Sequence, residues 1–197
     1  MLVLGACGSS GPTDEERVDA SLLRLSDFPA DQGWAIEPEA TDDPEFDAAV
    51  EACEQAHDPA AEFTGRERNF ARGDFDSVLS SASVVPDEEV RDKVFLNFGN
   101  LVECYATVVE ESWLKDAPTG VTVNGSDPYA LEVSTAADRT QGRAIQLGMY
   151  SETYFLDVIL LEQGSTLLSG ALWHMGDLTV QGEEEILAPV VERMKEL

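Results

Sequence analysis

Between Pro86 and Pro118 the chain keeps a helical period, and beyond Pro118 it drops that period. Val90, Val94, Leu101, Cys104, Tyr105 and Val108 recur at the spacing that lines one face of a helix, behind Asp87, Glu88 and Glu89 at its positive end. A helix is expected from residue 87 to about residue 113. After Pro118 come short β-rich runs at 121–123, 131–133, 143–147, 154–161 and 167–174. Asn124-Gly125 is a hairpin turn signal after the first run. Glu162-Gln163-Gly164-Ser165 is a Gly-containing connector between the last two, and the whole reads as an antiparallel meander.

Upstream, Thr13-x-x-Glu16 has the form of a capping box opening a short amphipathic helix through Val18, Leu22, Leu23 and Leu25, ending before Pro29. Residues 76–85 are strand-like. Glu183, Glu184 and Glu185 open a closing helix with Ile186, Leu187, Val190, Val191 and Met194 on one face, and Arg193 and Lys195 in its last turn. The order is helices, strand, helix, strands, helix. That is an α+β fold, an antiparallel β-sheet covered by helices. A chain of 197 residues with 43% hydrophobic content suits one such domain with a short tail.

The tail carries the first of three cysteines. Leu4-Gly5-Ala6-Cys7 resembles a bacterial lipobox, which implies cleavage before Cys7 and a diacylglycerol on its sulfur, although a chance cysteine at a loose terminus is the alternative. Gly8-Ser9-Ser10-Gly11-Pro12 then has the composition of a tether. A secretory leader needs an apolar stretch of about 7 to 15 residues, so the translation start is expected upstream of Met1. The expected organisation is a signal peptide remnant at 1–6, a lipid-anchored flexible tether at 7–17 and the domain at 18–197. No later run approaches the roughly 18 apolar residues of a membrane span, which leaves lipid as the expected membrane anchor.

With Cys7 lipidated, Cys53 and Cys104 remain, and an even remainder in an exported domain suits a disulfide between them; two buried free thiols are the alternative. A loop of about 52 residues closed in this way contributes roughly 4 kcal/mol in the chain-entropy account. Neither cysteine lies in a CxxC or beside a His, which argues against redox or zinc chemistry.

The stretch Leu22-Leu23-x-Leu25-Ser26-Asp27-Phe28-Pro29, followed by Gly33-Trp34, resembles the opening of the PknH-like extracellular sensor domain family and of related actinobacterial lipoproteins. Cys53 in a short helical segment, Phe70 and Phe75 before a strand, and Cys104 on the next helix agree with that pattern. The resemblance covers most of residues 20–197, except that the family's second disulfide has no counterpart. It implies an α+β fold and a non-catalytic sensor or ligand-binding domain at the outer face of the cell membrane, with a ligand entering between the sheet and a covering helix.

The charge narrows the partners. Twelve Lys plus Arg against 39 Asp plus Glu gives −27, a field that repels nucleic acid and anionic headgroups. It reads as a solvated acidic surface, or else as the mark of a cationic ligand or a divalent metal. Sequence motifs for acyl transfer, metalloproteolysis and nucleotide binding are missing, so no enzyme activity, cofactor or metal is expected. His57 reads as a helix-end residue or, less simply, a metal ligand. His174 reads as a strand-end packing residue or a pocket-mouth residue. Asp74 and Asp76 would share one side of a strand, as a solvated edge or a weak Ca²⁺ site. Trp34, Trp113, Trp173, Tyr150, Tyr154 and Phe155 are core or cleft aromatics, Trp34 being the one expected at the surface. Trp34, Trp173 and His174 are the candidate ligand-binding residues. The expected partners are the membrane, through the N-terminal lipid, and an unidentified small molecule or envelope protein. The rivals are an interaction module of the cell envelope, recognised by an exposed apolar patch, and a cryptic hydrolase, recognised by His57 or His174 near a Ser hydroxyl and a carboxylate.

Overall fold

The computed structural model describes residues 11–37, 43–60, 63, 65–73, 76–119, 122–149, 151–176 and 178–197, the Asp116 side chain excepted. Cys7, the tether before residue 11, Asp74, Phe75 and Tyr150 lie outside the described residues. Eight antiparallel strands form one sheet: β1 (Ala35–Ile36), β2 (Gly65–Arg72), β3 (Asp76–Val84), β4 (Val123–Gly125), β5 (Tyr129–Leu131), β6 (Arg139–Met149), β7 (Glu152–Gln163) and β8 (Thr166–His174). Their order is β1-β2-β3-β8-β7-β6-β4, with β5 also on β6. The meander β6-β7-β8 turns at Gly164, whose φ of +60° costs glycine little. β3 then joins the N-terminal strands to β8 in the register Val78↔Leu172.

Helices cover both faces. Val78, Ile159, Leu161, Leu168 and Leu172 meet α1 (Asp14–Ser21) and α4 (Val180–Lys195) through Leu22, Ile186, Leu187 and Val190. On the opposite face Ile145, Leu147, Leu156, Val158 and Leu160 meet Val94, Phe98, Val102 and Val109 of α3 (Glu88–Asp116). β7 feeds both cores, which is why its sequence is an almost unbroken apolar run rather than an alternation. α2 (Pro44–His57) packs on α3 and is bonded to it by Cys53–Cys104, with the Cα atoms 5.8 Å apart.

Among the boundaries that differ from the sequence reading, three change the packing or the pairing. The capping box of Thr13 and Glu16 starts α1 at Asp14, so the tether expected to run to residue 17 already forms helix in its last four positions. The expected continuous helix through Leu25 breaks after Ser21, and a short 3₁₀ turn follows at Leu25–Asp27. The break lets Leu22 and Leu23 both bury almost completely, worth about 1.5–3 kcal/mol each. The freed carbonyls are taken up: Arg193 donates to those of Ala20 and Leu22, and Arg68 to that of Leu23. Arg193 also grips Asp27 through two bonds of 2.7 and 2.8 Å, so the Leu-Leu…Asp motif is fastened to the C-terminal helix. Third, Asn124-Gly125 is no turn. It lies in β4 opposite Gly148 and Leu147, and Ser126 extends the ladder by two bonds with Gln146.

Candidate functional site

β2 sorts its charges by the two-residue period of a strand. Arg66 and Arg68 point to α1, where they pair with Glu15 and Asp19, while Glu67 and Asn69 point to the other face. On that face Ser77, Leu79 and Ser81 of β3, and Ser169, Ala171 and Trp173 of β8, follow the same alternation. They form the floor of a cleft of about 340 Å³. Its roof is helical: Phe46, Val50, Glu54 and Asp58 repeat every four residues along α2 and just past its end, and Leu101, Tyr105 and Val109 repeat every four along α3.

The cleft is therefore apolar at one end and acidic at the other. Glu37, Glu54, Asp58 and Glu67 line it, and among the described residues no Lys, Arg or His does. The Tyr105 hydroxyl donates to Glu54 Oε1 at 3.0 Å. Burial, opposed by that bond, pushes the Glu54 carboxyl above its ordinary range, and burial does the same to Asp58. The Tyr105 phenol is driven well up, first by burial and then by the Glu54 charge. Both half-cystines adjoin this pair, Cys53 before Glu54 and Cys104 before Tyr105, so the disulfide fixes the polar end of the roof.

A second cluster lies under α4 on the other face. Asp157 of β7, His174 of β8 and Glu183 of α4 are all buried, and each offers a ligating atom within 4.8 Å of the others. His174 Nε2 is 2.9 Å from Asp157 Oδ2, its ring stacks on Phe155, and its Nδ1 accepts the Gly176 N–H at 3.0 Å. Gly176 can present that N–H because its φ is +90°. An Nδ1 that accepts leaves the ring proton on Nε2, aimed at Asp157. A metal at Nε2 would need that proton moved to Nδ1, against the Gly176 donor, so this geometry favours a proton over a cation. Among the described residues neither Glu183 oxygen meets a hydrogen-bond donor. Burial first, and Asp157 beside it second, push the Glu183 carboxyl well above the usual carboxylate range.

The candidate residues separate. Trp173 lines the cleft and stacks on Trp113, which meets Tyr154 edge to face. Trp34, expected at the surface, is buried: it packs on Phe28 and under the Arg72 guanidinium, away from the cleft, because Gly33 at φ +76° turns it inward. His174 faces the α4 side rather than a pocket mouth. Its two ring nitrogens are engaged by Asp157 and Gly176, which leaves neither for a serine. His57 is the last residue of α2, and Asp76 pairs with Arg72 across the β2–β3 hairpin. Sequence reasoning missed Asp157 and Glu183. A single acid inside the apolar run 154–161 was the available signal for the first. Glu183 gave none, since its neighbours Glu184 and Glu185 made it look like a helix-opening charge.

No family model matches the chain, and no curated protein matches it. Among solved structures, the crystal structure of the extracellular domain of PknH from Mycobacterium tuberculosis aligns over 94% of this chain and 98% of its own, with a TM-score of 0.53 and 11% sequence identity. The fold is that of the PknH extracellular domain.

Proposed function

We propose that this protein is a non-catalytic binding domain of the cell envelope, held at the outer face of the membrane by a lipid on Cys7, and that it takes a small molecule in the cleft between its sheet and the disulfide-linked helices α2 and α3. The observation that carries this reading is the cleft: a concave, mostly apolar space with a few polar groups gathered at one end has the form of a small-molecule site. The fold shared with an extracellular domain supports the location, and the Cys53–Cys104 bond suits an oxidising compartment. Among the described residues no helix is long and apolar enough to cross a membrane.

The hydrolase reading has little behind it, because His174 is committed to Asp157 and Gly176. The interaction-module reading asks for one exposed apolar patch. Among the described residues the large exposed apolar side chains Leu25, Ile36, Leu79, Leu96, Leu114 and Tyr129 are instead spread over five elements, and Leu79 belongs to the cleft. The test is methyl-detected NMR of the oxidised domain against a library of small apolar compounds. Saturable shifts concentrated on Val50, Leu79, Leu101, Val109 and Leu156 are expected. Shifts scattered over the surface, or none, would refute the cleft as a binding site.

A further inference from the structure

We propose that the occupant of the cleft is an organic cation, an ammonium head on an aromatic or aliphatic body. This rests on the reading of the cleft as the binding site, and adds the class of ligand. Three observations point to it. The described walls hold four carboxylates and no cationic side chain, so nothing fixed in the cleft neutralises them. The arginines of β2 that could have done so are turned to the opposite face, where Asp19 and Glu15 hold them. Three of the carboxylates also gather at one end: Glu54 and Asp58 continue, four residues apart, the row that Phe46 and Val50 begin, and Glu67 faces them from β2.

A ligand with charge at one end and hydrocarbon along its length matches that division. The head would meet Glu54 and Glu67 while the body lies along Val50, Leu101, Leu79 and Trp173. An ammonium there relieves carboxylates that burial has partly stripped of water, and an aromatic wall accepts a cation on its face. An anionic ligand would meet like charges, of which Glu54 and Asp58 are half-buried, and a neutral one would strip those two further of water without offering a countercharge.

The test uses one carbon skeleton with three heads: phenylbutylamine, phenylbutanol and phenylbutyrate, titrated into the oxidised protein at about 0.15 M salt, where screening over roughly 8 Å suppresses attraction to the acidic surface at large. Methylammonium serves as a cation without a body. The amine is expected to bind about tenfold or more tightly than the alcohol, with the acid weaker still and methylammonium silent at the cleft methyls. Glu54→Gln with Glu67→Gln should bring amine and alcohol to within about threefold, while the alcohol's own affinity holds, which also shows that the variant is folded. Amine and alcohol binding equally would overturn the cation and leave the cleft standing as an apolar site. Methylammonium reproducing the amine's shifts would overturn the matched body. Silence from all three heads would overturn the cleft itself.

Discussion

Glu183 is fully buried on the first turns of α4, with Asp157 for a neighbour and, among the described residues, no donor for either oxygen. A carboxyl there keeps its proton where an exposed one has lost it, so folding takes up a proton across that range. The sign follows: this group favours the fold most fully below the ordinary carboxyl value, and stability is lost as pH rises through the raised one. Glu183→Gln has an amide donor for Asp157 and nothing to titrate. The variant is expected to be more stable than the parent by about 1–3 kcal/mol at about pH 8, with the two converging toward about pH 4. Urea denaturation across that range measures it, and parallel curves at every pH would remove the raised Glu183 carboxyl from the account. Arg193 makes the complementary point: it reads as a dipole-neutralising residue of a last turn, yet it spends its donors on Asp27 and on the carbonyls of Ala20 and Leu22.

At the scale of elements, α2 depends on a covalent bond. It packs chiefly on α3, and Cys53–Cys104 joins them beside Glu54 and Tyr105. The bond closes a loop with a sequence separation of 51, for which the unfolded-chain argument gives about 4 kcal/mol. Reduction is expected to lower stability by about 2–4 kcal/mol and to speed amide exchange along 44–57 more than along the buried β7. Denaturation and hydrogen exchange with and without reductant read both effects. Unchanged α2 protection would mean that packing alone holds the roof of the cleft. The sequence made the long helix, the three-strand meander and the closing helix visible, because each repeats apolar residues at one period over many positions. It concealed β2, since Gly65–Arg72 carries charges on both faces: arginines for the acids of α1, Glu67 for the cleft. It concealed β1 because two residues make no period. The cysteine pair was legible by counting, whereas the cleft was not, since its walls come from six elements spread from α2 to β8.

The molecule as a whole sets a sheet filled on both faces inside a surface of charge −27. Such a surface keeps a protein dissolved and drives it from anionic headgroups, so charge cannot hold this domain at a membrane. A covalent lipid can, because each buried methylene contributes about 0.8 kcal/mol whatever the charge of the protein behind it. A lipid on Cys7, as proposed, would hold the domain where its charge does not. Expression from the full gene in a bacterial host, followed by intact mass of the membrane-extracted protein before and after reduction and alkylation, decides the matter. The expected species begins at Cys7, carries added acyl chains, and takes up alkylating reagent at Cys53 and Cys104 after reduction alone. A chain without acyl mass but with the disulfide intact would keep the exported domain and remove its anchor. Three thiols alkylated without reduction would remove the anchor, the oxidising compartment and the fixed roof of the cleft together.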